Sequence, residues 1–126
     1  MDYLEVRQTK LKGRGVFTTR SISQGEIIEV CPIIELPEEE TPHIDATKLY
    51  NYYFNWGEKL NKVAIALGYG SLYNHSFRPN AVYEKDFSRN LLVFRSLSDI
   101  QAGEEITVNY NGIPTDKRPL WFTPSD

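Results

Sequence analysis

The sequence predicts a mainly β domain with few, short helices. Apolar or alternating runs of strand length recur along the chain, and turns carrying glycine, asparagine or serine separate them. Size adds a bound: 126 residues at 40% hydrophobic content suffice for one core and not for two.

The elements follow in order. "YLEVRQT" alternates, and "GVFTT" follows a double-glycine turn. "EIIEVCPIIEL" is a longer apolar segment that Pro32 is expected to cut, because proline removes a ladder donor. "LPEEETPH", Leu36 to His43, is proline-bracketed and acidic and reads as an exposed loop. Asp45 is placed to cap a short helix over "ATKLYNYY". "YYFNW", a turn at "GEKLN" and "KVAIALG" read as one hairpin; "NAVYEKDF", "SRN" and "LLVFRSL" read as another. The tail "GIPTDKRPLWFTPSD" has no clear period and is expected to lie across the domain. Residues 1–112 are therefore read as the domain and residues 113–126 as a C-terminal tail. Ile22 to Val30 and Ile100 to Val108 share Ile-x-x-Gly-Glu-x-Ile-x-Val, which reads as one glycine turn used twice and not as a repeat fold.

Composition narrows the partners. A net charge of −3 opposes sequence-independent nucleic-acid binding and suits a basic protein or peptide. With 8 Tyr and 6 Phe against 1 Met, a pocket here is aromatic and stiff, fit for a small flat or cationic ligand. Cys31 stands alone, and with only His43 and His75 beside it no zinc site is expected. No apolar run approaches the roughly 20 residues of a membrane span, and "MDYLEVRQTK" lacks a signal peptide's apolar region. A cytoplasmic protein, monomeric or homodimeric, is the expectation.

Polar residues crowd one stretch, "GSLYNHSFRPNAVY", between two strand-like runs. His75 and Ser76 are a poor nucleophile pair, because neighbours on an extended chain point to opposite faces. "KGRG" lacks the spacing and trailing Lys-Ser/Thr of a phosphate loop. Three stretches in fixed order are more informative: "KGRGVF", "NHSFRPN" and "GEEITVNY". Together they resemble the SET domain of protein-lysine methyltransferases, over roughly Tyr3 to Tyr110. The overall size is similar to the compact stand-alone SET proteins of bacteria and viruses.

That resemblance implies short curved sheets with a C-terminal segment threaded as a pseudoknot, an arrangement rare among folds. It implies S-adenosylmethionine as cofactor, held by Gly13, Gly15, Asn74 and His75, with the glycines letting the backbone approach closely. His75 would offer main-chain contacts while its ring anchors the knot. Tyr110 takes the principal catalytic position, and Tyr83 falls where a second channel residue, Tyr or Phe, sets how many methyls fit; a tyrosine there favours fewer. Cys31 lies about where some members place another channel aromatic, although a small buried hydrophobe is its plainer role. The reaction needs a neutral lysine amine, which opposes a gradient of roughly 3 to 4 kcal/mol near neutral pH; an apolar channel and a neighbouring positive charge both lower that amine's pKa. No metal is required.

Departures from the family pattern matter as much. Ser71 and Leu72 replace the family's Arg-Phe, removing a cationic partner for the cofactor carboxylate, and Lys12 or Arg14 is the substitute the sequence offers. Asn109 stands for the family's Asp. No cysteine-rich segment follows Tyr110, so Trp121 or Phe122 is expected to fold back over the cofactor, with the Tyr50 to Trp56 segment or a second subunit as the alternative cover. Glu38 to Glu40 either attract a basic substrate segment or form a solvated loop. A non-catalytic binding module of the same fold, and a methyltransferase for small amines, remain as alternative functions.

Overall fold

The computed structural model describes residues 2–124 and contains two curved sheets. Met1, Ser125 and Asp126 lie outside the described residues, so the tail expected over 113–126 is described as far as Pro124. The first sheet has the order β1 (Leu4–Gln8), β2 (Arg14–Thr18), β9 (Glu105–Val108), β6 (Asn74–His75). The second has the order β4 (Phe54–Trp56), β5 (Lys62–Ala66), β3 (Ile27–Leu36), β8 (Leu91–Ser96), β7 (Ala81–Asp86).

Both expected hairpins form: β4 pairs antiparallel with β5, and β7 with β8. Asn90 turns the second at φ 52°, a left-handed conformation that asparagine tolerates. The shared nonapeptides also behave as turns, with Gly25 at φ 82° and Gly103 at φ 90°. They do more than share a turn. Ile22 and Ile100 exchange two backbone hydrogen bonds of 2.8 Å, so the two copies pair with each other.

Three local expectations change. Pro32 does not cut its segment, because β3 swaps partners there: Ile27 to Pro32 pair with β8, and Ile33 to Leu36 pair with β5. Proline's missing donor is tolerated at the changeover, where its carbonyl accepts from Leu67 N at 2.9 Å. The acidic stretch is exposed but not an irregular loop, since Glu38–Glu40 form a 3-10 turn that leads into α1 (Thr41–Asp45). Pro42 sits in the first turn, where its fixed φ favours initiation, so the helix starts early and Asp45 ends it. Thr47 is the actual cap, its hydroxyl accepting from Leu49 N at 3.2 Å above the 3-10 turn Lys48–Asn51.

The core draws on both sheets, with Trp56, Tyr73, Phe94, Ile28, Leu92 and Ile106 its larger buried members. The Tyr73 ring stacks on Phe94 at 4.1 Å. A side chain such as Phe94, fully buried, contributes about 2 kcal/mol by apolar transfer.

One pairing sets up the site. β6 runs parallel to β9, with Asn74 opposite Thr107 and His75 opposite Val108, and Ser76 N continues the ladder to Val108 O at 2.9 Å. Asn80 then acts as a side-chain strand: its amide donates to Glu105 O at 2.8 Å, and its oxygen accepts from Thr107 N at 2.9 Å. The Asn-His segment and the C-terminal strand are thereby locked side by side. Among the described residues no helix is long and apolar enough to cross a membrane.

Candidate active site

Tyr110 lies two residues past the end of β9 and is fixed at both ends. Its backbone N–H donates to His75 Nδ1 at 3.0 Å, and its hydroxyl donates to Tyr73 O at 2.6 Å. Both acceptors belong to the β6 strip, so the β6–β9 pairing delivers the ring orientation. Tyr83, from β7, donates to Tyr110 O at 3.3 Å and meets Phe54 edge-on at 5.1 Å. Burial pushes the Tyr83 phenol up to about 12. Burial, with smaller contributions from Tyr52, Tyr83 and Glu105, raises Tyr110 further still.

A buried carboxylate supports this wall from behind. Glu29 accepts from Tyr73 OH at 2.8 Å and from Tyr69 N at 3.0 Å, which holds the turn that presents Tyr73 O to Tyr110. Cys31 lies behind the same turn, fully buried, and a Cβ on Gly70 would come within 3.0 Å of its Sγ. Burial, chiefly, raises its thiol pKa well above the ordinary value. It does not line the channel, so the channel-aromatic position is not filled there and its role is that of a small buried hydrophobe.

Two cavities meet at Tyr110. One, of about 300 Å³, has aromatic walls that include Tyr50, Tyr53, Phe54, Tyr83 and Tyr110. The other, of about 510 Å³, is bounded by Lys12, Gly13, Arg14, Leu72 and Asn74. Asn51, Tyr52, Ser71, Tyr110 and Trp121 border both. The Ser71 hydroxyl is buried at this junction and finds no hydrogen-bond partner among the described residues.

The sequence-derived candidates distribute around this pair. Gly13 adopts φ 69° with nothing within 4 Å of an added Cβ, so it is the glycine that leaves open space beside the backbone. Gly15 has a packing requirement of its own. A Cβ there would sit 2.3 Å from Glu105 Oε2 and 2.7 Å from Asn74 Nδ2, so its bareness makes room for those two side chains. Asn74 Nδ2 donates to Glu105 Oε2 at 2.7 Å and to Arg14 O at 3.0 Å, which fixes its amide at the cavity edge. Lys12 Nζ donates to His75 O at 3.1 Å.

The tail does fold back. Trp121 stacks on Tyr110 with centroids 5.9 Å apart and planes 12° apart, and its Nε1 donates to Asn51 Oδ1 at 3.1 Å. Phe122 meets Tyr110 at 6.0 Å and His75 at 6.3 Å. The two covers expected as alternatives, the tail and the Tyr50 to Trp56 segment, are therefore joined over one site. Asn109 makes the return possible, donating to Pro114 O at 3.3 Å and Asp116 O at 2.7 Å while accepting from Asn111 N at 2.9 Å.

Sequence reasoning named Ser71 only as a departure from the family pattern and did not single out Glu29, Tyr52, Lys85 or Glu105. Glu105 lay inside a quoted motif, and Tyr52 lay in the aromatic run "YNYYFNW". The others carried no local signal. Among the described residues no group of three or more His, Cys, Asp or Glu is placed to hold a metal ion.

Comparison with known proteins agrees with this geometry. The chain is 36% identical over 120 residues to the "Histone-lysine N-methyltransferase, H3 lysine-37 specific" of Schizosaccharomyces pombe, covering 94% of this chain and 76% of that protein. It is 36% identical over 126 residues to the "Variant-silencing SET domain-containing protein" of Plasmodium falciparum, covering 86% of this chain and 5% of that protein. Among solved structures, a Plasmodium falciparum protein described as a histone methyltransferase superposes with TM-score 0.70 at 35% identity, over 86% of this chain and 92% of that one. Polycomb Repressive Complex 2 of Chaetomium thermophilum, as a humanized mutant bound to an inhibitor, shares the fold at TM-score 0.72 and 19% identity, over 85% of this chain and 15% of that one. The SET domain family model matches residues 13–111, from the glycine turn through Tyr110, and the chain belongs to the SET-domain family.

Proposed function

We propose that this chain transfers a methyl group from S-adenosylmethionine to the side-chain amine of a lysine in a basic protein, with histones as the first class to test. The observation that carries this reading is the meeting of an open polar cavity and an aromatic cavity at Tyr110. One takes a charged nucleoside; the other takes an aliphatic amine stem.

The polar cavity fits S-adenosylmethionine. Gly13 leaves its backbone open, Lys12 and Arg14 supply cations for a carboxylate, and the buried Ser71 hydroxyl lacks a partner that a ligand could provide. Lys12, Gly13, Arg14, Asn74 and the His75 main chain would hold the cofactor, Gly15 acting through Asn74, and Trp121 would cover it. When bound, this group supplies an activated sulfonium methyl.

The chain's own residues then prepare the acceptor. Aromatic walls strip water from the incoming ammonium and lower its pKa, which favours the neutral amine. The Tyr110 and Tyr83 hydroxyls both donate to backbone carbonyls, so each oxygen is left as an acceptor for an amine N–H. That orients the nitrogen toward the neighbouring cavity. Tyr83, with its hydroxyl in place of a phenylalanine edge, narrows the space for methyl groups. Since the tail and the Tyr50 to Trp56 segment close the site within one chain, the monomer is the active species in this reading. A histone substrate would place the protein with chromatin and not in the cytoplasm, which a fluorescent tag on the chain resolves.

The test is transfer of labelled methyl from S-adenosylmethionine to core histones, by the parent chain and by Tyr110→Phe. Transfer that collapses in the variant supports the proposal. Calorimetric binding of the cofactor with no acceptor among histones or basic peptides would instead make this a binding module.

A further inference from the structure

We propose that Lys85 is an electrostatic residue of the acceptor cavity, whose positive charge drives the target lysine toward its neutral, reactive form. This rests on the methyl-transfer reading above. Lys85 lies on β7 two residues beyond Tyr83, so both side chains project from the same strand face. Its Nζ stands 6.0 Å from the centre of the Tyr83 ring, and its side chain lines the aromatic cavity.

Charge there is uncompensated. Among the described residues lining that cavity, Lys85 is the only one that carries a formal charge at neutral pH; the rest are phenols, amides, small residues and apolar side chains. The acids beside it in sequence are engaged elsewhere, Glu84 with Arg95 at 3.3 Å and Asp86 with Arg89 at 2.7 Å. No described carboxylate forms an ion pair with Lys85, whereas Arg7, Arg20, Lys62, Arg89, Arg95 and Arg118 all have one. Burial lowers the pKa of the Lys85 ammonium, as expected of a cation without a partner in an aromatic wall.

The tyrosines lining this cavity are Tyr50, Tyr52 and Tyr53, Tyr83 and Tyr110, and Tyr73, whose own hydroxyl is turned away to Glu29. Glu105 acts on Tyr110 from the polar side. Asp45 acts on Tyr53 from outside the lining in the same way. A target ammonium entering the cavity therefore meets one charged lining residue, of its own sign, while the carboxylates of Asp45 and Glu105 stand outside the described lining. Like charge disfavours the charged form, so the bound lysine loses its proton at lower pH than it would against a neutral wall. The proton leaves to solvent, and the neutral nitrogen keeps its lone pair for the methyl.

The experiment is the pH dependence of kcat for methyl transfer to core histones, which reports ionisations of the bound complex. It is measured for the parent chain and for Lys85→Gln, Lys85→Arg and Lys85→Glu, with cofactor affinity measured calorimetrically for each. The rising limb is expected to move up by about one pH unit in Lys85→Gln and further in Lys85→Glu, and to stay near the parent position in Lys85→Arg. A merely structural lysine would change rate or affinity without moving that limb. A limb unmoved in Lys85→Gln, or one that Lys85→Arg displaces as far as Lys85→Gln does, overturns the inference, the second result pointing to a neutral Lys85 acting as base. Absence of transfer by the parent chain overturns the methyl-transfer reading and this inference together, whereas transfer with an unmoved limb overturns this inference alone.

Discussion

Tyr110 has one face supported by strands and the other by the tail, and the two supports differ in kind. On the strand side, β6 and β9 share a backbone ladder, Asn80 extends it with two hydrogen bonds, and His75 accepts from the Tyr110 backbone. On the tail side, Trp121 is 51% exposed and tied by one side-chain bond to Asn51, with Lys117 reaching back to Phe77 O at 2.6 Å. Backbone pairing is shared by many groups and survives the loss of any one side chain. A cover made of side-chain contacts does not. The wall should therefore govern chemistry and folding, and the cover should govern how dry the site is.

Tyr110→Phe probes the wall where the effect is largest. It removes the donor to Tyr73 O without emptying any volume, so stability should fall by only about 1 kcal/mol in urea denaturation. Methyl transfer should fall roughly 100- to 1,000-fold, the scale seen when one positioned transition-state group is lost. Transfer within tenfold of the parent would place the chemistry elsewhere. Gly15→Ala strikes the same wall through packing. Its new methyl collides with Glu105 and Asn74, a cost of about 2 kcal/mol, and should weaken cofactor binding by displacing the Asn74 amide. Gly13→Ala meets no atom and bears only the left-handed strain of about 1 kcal/mol, so the two alanines separate crowding from conformation.

Asn109→Asp probes the join between wall and cover. The family's aspartate is the smaller change on paper, but a carboxylate cannot donate to Pro114 O and Asp116 O, and it would sit buried beside both. A loss of about 2 kcal/mol is expected, together with faster proteolysis after Gly112. Unchanged proteolysis would mean that the tail is held by its aromatic contacts alone.

What could be read from sequence follows the same division. The hairpins at "GEKLN" and "SRN" and the glycine turns were legible because a turn is specified by its own few residues. Tyr110, Asn74 and His75 were legible because the motifs name them. Pro32 misled, since tolerance of its missing donor depends on which strand lies alongside, and that is decided by β5 and β8 far away in sequence. The crowding at Gly15 could not be read from sequence, because only the fold brings Glu105 beside it. Lys85 looks like an ordinary strand residue, and Ser71 stands out only as a replacement for the family's Arg. Their meaning comes from the walls they share with Tyr83 and Tyr110.

A smaller effect is expected from pH. The Tyr83 phenol titrates at about 12 in the folded chain and near 10 unfolded, so the folded state holds its proton more tightly. Its contribution to stability is complete below about pH 10 and is lost as pH rises toward 12. The urea midpoint should drop across that window in the parent chain and drop less in Tyr83→Phe. Equal slopes in the two would mean that other groups set the alkaline limit.

The smallest effect belongs to the cover. Trp121 buries only part of its ring, so Trp121→Ala should cost about 1 kcal/mol of stability, while raising the apparent dissociation constant for S-adenosylmethionine severalfold because the polar cavity loses a wall. Fluorescence offers a direct view of the same contact. Trp56 is buried, donates to Asn90 Oδ1 at 3.1 Å and lines neither cavity, so it adds a background emission and must be removed as Trp56→Phe before Trp121 can be read alone. In that background, Trp121 emission should shift to shorter wavelength when cofactor is added, since a ring half in water becomes a ring against ligand. Deletion after Gly112 should abolish the signal and weaken both binding and transfer, leaving the strand wall folded. If deletion leaves affinity and transfer at parental levels, the cover plays no part in drying the site, and the Tyr50 to Trp56 segment must close it unaided.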